Sequence, residues 1–254
     1  MKIRPIFKTI DIFSFIQFLS RQTNYIIKFF LLKVLYLVCY TDHYHYLAWK
    51  AVADRLSLPF DEQVNNRLRG VSRMESLEII LSLGSKTYSQ EEKEQMAAEK
   101  NRLYRSYLER MGPEALAPGA VDVLRTLREN GWKTGIGSSS KNAPLILERT
   151  GLDGFFDAVA DGSQITKSKP DPEVFRLAAR KLRLSPDECA VVEDASAGIL
   201  AANAGGFFPI GLGDAAQAPG CRAVLNALYE LPELCRRLYS RAPKFKPSDP
   251  TPFS

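Results

Sequence analysis

The 254-residue chain lacks most of the features that would take it out of the ordinary globular class. Its four cysteines, Cys39, Cys189, Cys221 and Cys235, form no C-x-x-C pair, which excludes a zinc knuckle, a dithiol redox motif and a disulfide framework. That usage fits a reducing, cytoplasmic setting. No apolar run reaches the roughly twenty residues a membrane-spanning helix needs, because residues 26–39 are broken by Lys28 and Lys33. The stretch before it carries Asp11, Gln17, Arg21 and Gln22 and ends in no small-residue cleavage site, so a secretory signal is not indicated either. The 34 Lys and Arg outnumber the 29 acids to give a net charge of +5, which suits an anionic ligand. They are spread along the chain rather than gathered in a stripe, which argues against nucleic acid. There is no internal repeat, and the only biased stretch is a Pro-rich, basic tail at 242–254, expected to be disordered. One shortage is local. Residues 1–40 contain no Gly, Ala or Glu but six of the 14 Phe, and the composition changes near Thr41.

The remainder is typical of a folded domain, at 45% hydrophobic and 25% charged residues, and a chain of this length buries roughly 70 to 75% of its unfolded surface. Residues 1–40 read as a poorly specified arm followed by one hydrophobic strand at 34–38. A membrane-surface amphipathic arm is the alternative, since Phe and Lys are mixed there. Residues 42–110 read as helices only, around 46–56, 71–83 and 89–110. Then helices and strands alternate: helix 120–130, strand 133–137, helix 143–149, strand 158–160, helix 172–182, strand 190–192, helix 197–204, strand 208–211. Such alternation means a parallel, doubly wound α/β sheet with helices on both faces. Ligands of such sheets bind beyond the carboxyl ends of the strands.

Three strand ends carry complementary polar groups. The first reads Gly137-Ser138-Ser139-Ser140-Lys141-Asn142, hydroxyls and backbone N–H groups at a helix start, able to cradle an anion or merely to form a turn and cap. The second is Lys167-Ser168-Lys169-Pro170, a cation fixed just before a helix. The third, Val192-Glu193-Asp194-Ala195-Ser196, presents two carboxylates where a helix cap or a Mg²⁺ ion would use them. A phosphate cradle, a Lys to balance developing charge and a carboxylate pair for Mg²⁺ together make a phosphoryl-transfer constellation.

This set resembles the haloacid dehalogenase superfamily of phosphotransferases, in the subgroup with a small helical cap inserted after the first strand. The stretches Thr41-Asp42-His43-Tyr44-His45, Arg69-Gly70-Val71-Ser72-Arg73, Ser138-Ser139-Ser140-Lys141-Asn142 and Asp194-Ala195-Ser196-Ala197-Gly198 are similar to the beta-phosphoglucomutase family. The resemblance runs from about Thr41 to Leu238. It implies a doubly wound parallel-sheet core with a small all-helical cap. The divisions would be an atypical N-terminal segment with the first core strand at 1–41, a cap at 42–112, a Rossmann-like core at 113–240 and the tail at 241–254. It implies that Ser138 and Lys169 hold the transferring phosphate, that Glu193 and Asp194 serve Mg²⁺, and that Arg73 with Ser140, Lys141 and Asn142 grips a second phosphate. Thr41, His45, Arg69, Ser76 and Lys100 match hinge, cap and substrate-contact positions.

The resemblance fails at one point. The family's first strand ends in Asp-x-Asp-Gly-Val, whose first Asp is the nucleophile and whose second is the general acid and base. Here the matching positions are Lys33, Val34, Leu35, Tyr36 and Leu37, and Asp11 is the only carboxylate before Asp42. A Lys cannot form an aspartyl-phosphate and a Leu cannot relay a proton. The expectation is that a frameshift or miscalled start has put unrelated translation over an otherwise intact scaffold. The implied activity is a phosphosugar mutase interconverting beta-glucose 1-phosphate and glucose 6-phosphate, acting as a monomer on a phosphorylated hexose. The alternatives are a sugar-phosphate phosphatase or a catalytically dead remnant.

Overall fold

The computed structural model describes residues 29–32 and 38–240; the expected arm, positions 33–37 and the tail lie outside the described residues. Strand β1, Phe29–Leu32, lies earlier than the strand expected at 34–38, and Val38 and Cys39 belong instead to the crossing into the helices. The stretch from Ile26 to Cys39, interrupted by Lys28 and Lys33, gives no alternation to fix a register, and Phe29–Leu32 are placed by their parallel pairing on both sides.

Four helices follow: α1 (Asp42–Arg55), α2 (Glu62–Arg67), α3 (Arg73–Leu81) and α4 (Gln90–Leu108). Helices α3 and α4 start later than the apolar pattern suggests, because Ser72 and Ser89 are capping residues. Each accepts from the backbone N–H of Glu75 or Glu92, and that glutamate's carboxylate accepts from the serine's own N–H. Two reciprocal bonds close each helix start. Helix α2, too short for periodicity, is nucleated by Asp61, whose side chain accepts from Val64 N–H at 2.9 Å. These helices bury their own apolar cluster, including Trp49, Val52, Leu77, Ile80 and Met96.

The chain then returns beside its exit. Ala117 N–H donates to Val38 O and Tyr40 N–H to Ala115 O, both at 2.8 Å, around an antiparallel bridge between Cys39 and Leu116. Beyond it run α5 (Ala120–Glu129), β2 (Lys133–Gly137), α6 (Ala143–Arg149), β3 (Ala158–Ala160), α7 (Glu173–Leu182), β4 (Cys189–Glu193), α8 (Ser196–Gly205), β5 (Phe208–Leu212), β6 (Ala223–Leu225) and α9 (Leu231–Ser240). The six strands form one parallel sheet in the order β3-β2-β1-β4-β5-β6. That order reverses direction between β1 and β4, which opens a crevice at their carboxyl ends. Strand β4 is buried throughout and the apolar stripe of α5, Ala120, Val123, Leu124 and Leu127, packs into the core. Among the described residues no helix is long and apolar enough to cross a membrane.

Candidate functional site

The loop after β2 is held by its own hydroxyls. Ser138 Oγ, wholly buried, accepts from Ser140 N–H at 3.1 Å, and Ser140 Oγ accepts from Asn142 N–H at 3.2 Å. Such short-range hydroxyl contacts fold a turn that no regular ladder could supply. Gly162 crosses so closely beneath that a side chain there would overlap Ser139 O.

Lys169 and Glu193 form a buried ion pair beneath this loop, with side chains 1% and 0% exposed. The ammonium also donates to Gly137 O at 3.2 Å and lies 4.4 Å from the Phe175 ring centre. The second Glu193 oxygen accepts from the backbone N–H groups of Asp194 and Ala195 at 3.1 and 3.0 Å. Two N–H donors, a carbonyl acceptor and an aromatic face therefore surround two charges that would otherwise be costly to desolvate. Gly198 is part of this arrangement, since a Cβ there would overlap the Glu193 carboxyl group.

The opposite wall comes from the helices. Lys100, 3% exposed, places its Nζ 2.8 Å from His45 Nδ1 and over the rings of Tyr104 (4.4 Å) and Trp49 (5.1 Å). Burial first, and the charge of Arg73 second, hold its pKa well below the usual lysine value. Burial likewise lowers that of Arg73. The His45 and Tyr104 rings are 4.0 Å apart. Arg69 pairs with Asp42 at 3.1 Å and, across to the strand side, with Asp214 at 3.4 Å. The Ser76 hydroxyl donates to Ser72 O at 2.9 Å, one turn back along α3.

Between these walls lies a cavity of about 560 Å³. Thr41, His45, Arg69, Arg73, Ser76, Lys100, Ser140, Lys141, Asn142, Lys169 and Asp194 line it. Of the expected site residues, Ser138 and Glu193 do not: the first supports the loop and the second sits behind Lys169. The Asn142 amide, at the cavity edge, is also bonded at both ends, Oδ1 by Arg105 Nη1 at 3.2 Å and Nδ2 by Asn101 Oδ1 at 3.0 Å. The expected anion-binding helix start is a helix of only seven residues. Sequence reasoning missed Asp42, Trp49, Tyr104, Asn101 and Arg105. Their signal was spacing: Trp49 follows His45 by four, and Tyr104 follows Lys100 by four, so each pair shares a helix face.

A hard cation has a limited donor set here. Among the described residues no group of three His, Cys, Asp or Glu side chains could hold a metal. Asp194 faces the cavity, while the Glu193 oxygens are taken by Lys169 and two N–H groups. Mg²⁺ keeps several waters and uses one or two carboxylates with substrate phosphates, so Asp194 fits it in kind, as one ligand among oxygens supplied by ligand and water.

Comparison with known proteins gives a consistent picture. The model of a family described as haloacid dehalogenase-like hydrolase matches residues 12–206. The chain is similar to the beta-phosphoglucomutase of Bacillus subtilis (strain 168), 41% identical over 193 residues, which is 75% of this chain and 85% of that protein. It is 32% identical over 169 residues to a fructose-1-phosphate phosphatase of Escherichia coli (strain K12), covering 66% of this chain and 86% of that one. Among solved structures it resembles a beta-phosphoglucomutase from Clostridium difficile with a TM-score of 0.79 and 35% identity, over 84% of this chain and 97% of the other.

Proposed function

The chain belongs to the haloacid dehalogenase-like hydrolase family, and from that membership we propose that its cavity binds a phosphorylated hexose as a beta-phosphoglucomutase-type mutase does, on a scaffold with a helical cap at 42–112 and a core at 113–240. The observation that carries this reading is the placement of cations. Lys169 and Lys141 approach the cavity from the sheet side, Arg73 and Lys100 from the helices. A substrate with a phosphate at each end of a sugar satisfies both walls; a monophosphate satisfies one. This favours the mutase over a phosphatase, which needs no second grip.

Within it, Lys169 would balance charge on the transferring phosphoryl group, and the Ser140 and Lys141 loop with Arg73 would orient the other end. Lys100, 2.8 Å from His45 Nδ1 in its buried cage, would act with that imidazole toward the substrate. Mg²⁺, which the family generally uses, would be held by Asp194 and supplies positive charge against the phosphoryl oxygens when bound. Closure of the helical wall excludes water, which keeps a transferred phosphoryl group from hydrolysis.

Positions 33 and 35, where the resemblance calls for the nucleophile and the acid and base, hold Lys33 and Leu35. The chain as it stands therefore binds the hexose phosphate and does not turn it over. The test is repair. Replacing Lys33, Val34, Leu35, Tyr36 and Leu37 by Asp-Leu-Asp-Gly-Val supplies a carboxylate to attack phosphorus as the sugar P–O bond breaks, and an acid to protonate the leaving oxygen. Turnover of beta-glucose 1-phosphate to glucose 6-phosphate, read in a coupled assay, should appear in the repaired chain and not in the parent. A folded, repaired chain without turnover, or a parent with robust turnover, refutes the proposal.

A further inference from the structure

We propose that Arg105, which does not line the cavity, is a positioning residue that clasps the helical wall to the loop after β2 through Asn142. The inference rests on the phosphosugar reading of the cavity. Asn101 and Arg105 stand four residues apart on α4, so they share one stripe of that helix. Asn142 docks between them with matched polarity: the guanidinium, which only donates, meets Oδ1, and the Asn101 carbonyl oxygen meets Nδ2. Rotating the Asn142 amide by half a turn would set its NH₂ against the guanidinium, so the clasp fixes one orientation. The contact is shielded at its core end, where Asn142 is 4% exposed.

The same residue governs the cradle. Asn142 N–H donates to Ser140 Oγ and Ser140 N–H donates to Ser138 Oγ, so a side chain fixed at Asn142 holds the loop that carries Ser140 and Lys141. The topology places a counterpart on the other side of the crevice. Asn142 follows β2, whereas Asp214, the strand-side partner of Arg69, follows β5, and these strands flank the central β1 and β4 pair. Two polar clasps thus straddle the crevice. Contacts that hold the two walls in register lower the ordering that binding must accomplish.

The test is a double-mutant cycle on the full chain with Arg105→Ala, Asn142→Ala and both, measuring the calorimetric Kd for glucose 1,6-bisphosphate and the urea unfolding equilibrium. Arg105→Ala should weaken binding about 5-fold, the order expected of a charge-assisted hydrogen bond open to water at one end, and should add less than 2-fold once Asn142 is Ala. Arg105→Lys, which keeps one donor, should recover part of the loss. A residue that only stabilises α4 would lower stability equally in both backgrounds and leave Kd additive. If the parent binds the bisphosphate and the two changes add, the clasp is refuted while the phosphosugar reading stands. Should the parent fail to bind, that reading falls and the positioning role with it, whatever coupling the unfolding cycle reports.

Discussion

Removing Lys169 should be far more damaging than removing its ion pair. In Lys169→Met the Glu193 carboxylate, 0% exposed, loses the ammonium and keeps the N–H groups of Asp194 and Ala195 on one of its two oxygens. Leaving one buried charge without its partner costs about 3–5 kcal/mol. Two retained donors place this case near the lower end of that range. The double variant Lys169→Met with Glu193→Gln removes both charges and nearly conserves volume, and such replacements of buried pairs are often neutral or stabilising. Most of the loss should therefore return.

Urea unfolding followed by circular dichroism separates these outcomes. With a slope of about 2–3 kcal/mol per molar, the single variant should shift the midpoint down by roughly 1–2 M, and the double variant by less than about 0.5 M. The slope must stay constant for the shift to be read as stability. A single variant that loses under about 1 kcal/mol would refute the reasoning, because it would mean that water reaches Glu193 in the folded chain. A double variant as unstable as the single would place the effect in the packing of the Lys169 stem against Phe175 instead.

Three further outcomes follow from the same geometry. The folded pKa of Lys100 lies well below its unfolded value of 10.5, so the unfolded chain binds the extra proton between those values and stability should rise with pH across that window; Lys100→Met should abolish the rise. The Cys39 thiol, pushed up to about 12 by burial, works in the opposite sense above its ordinary 9.0, so the difference between parent and variant, not the parent curve, is the measurement. Mg²⁺ should bind the ligand-free chain weakly, since Glu193 is committed to Lys169; micromolar affinity by calorimetry would contradict the donor set described. Among the cysteines, Cys221 is partly buried while Cys39, Cys189 and Cys235 are buried, so its thiol should react with a disulfide reagent ahead of the other three, which should wait for unfolding; equal rates for more than one would show that the core opens.

The sheet was legible wherever an element had a punctuated boundary. Asn130-Gly131 ends α5, and β2 and β3 sit where the short apolar runs between turn residues put them. Legibility failed in three physical situations. Helix starts moved where a capping box, at Ser72 and at Ser89, outranked the apolar pattern. Short elements such as α2 and β6 carry too few residues for a period. Helix α9 carries a readable period, with Leu231, Leu234, Cys235 and Leu238 on one face, and lies beyond the alternating elements expected from the sequence. For the site, residue types at strand ends pointed to the right loops, yet could not tell a wall from its support. Ser138 and Glu193 are of the expected types and lie behind the cavity, because hydrogen-bond partners, not residue type, decide which way a short polar side chain is used.

On the proposed reading, recognition and turnover draw on different segments of this chain. The cations that would hold a phosphosugar, Lys141, Lys169, Arg73 and Lys100, come from the loops after β2 and β3 and from the helices. Two of them are held by contacts within the later segment: Lys169 by Glu193 and Gly137, Lys100 by His45 and two aromatic rings. The two missing carboxylates belong to positions 33 and 35 alone. Loss of a nucleophile removes orders of magnitude in rate, whereas binding contacts made elsewhere survive it, as residual catalysis in nucleophile-free enzymes demonstrates. An alteration confined to the first segment therefore predicts a protein with near-normal affinity for a hexose bisphosphate and no measurable kcat. An alteration spread through the chain would instead have loosened the buried Lys169 and Glu193 pair and the crowded Gly198 contact, and both are intact.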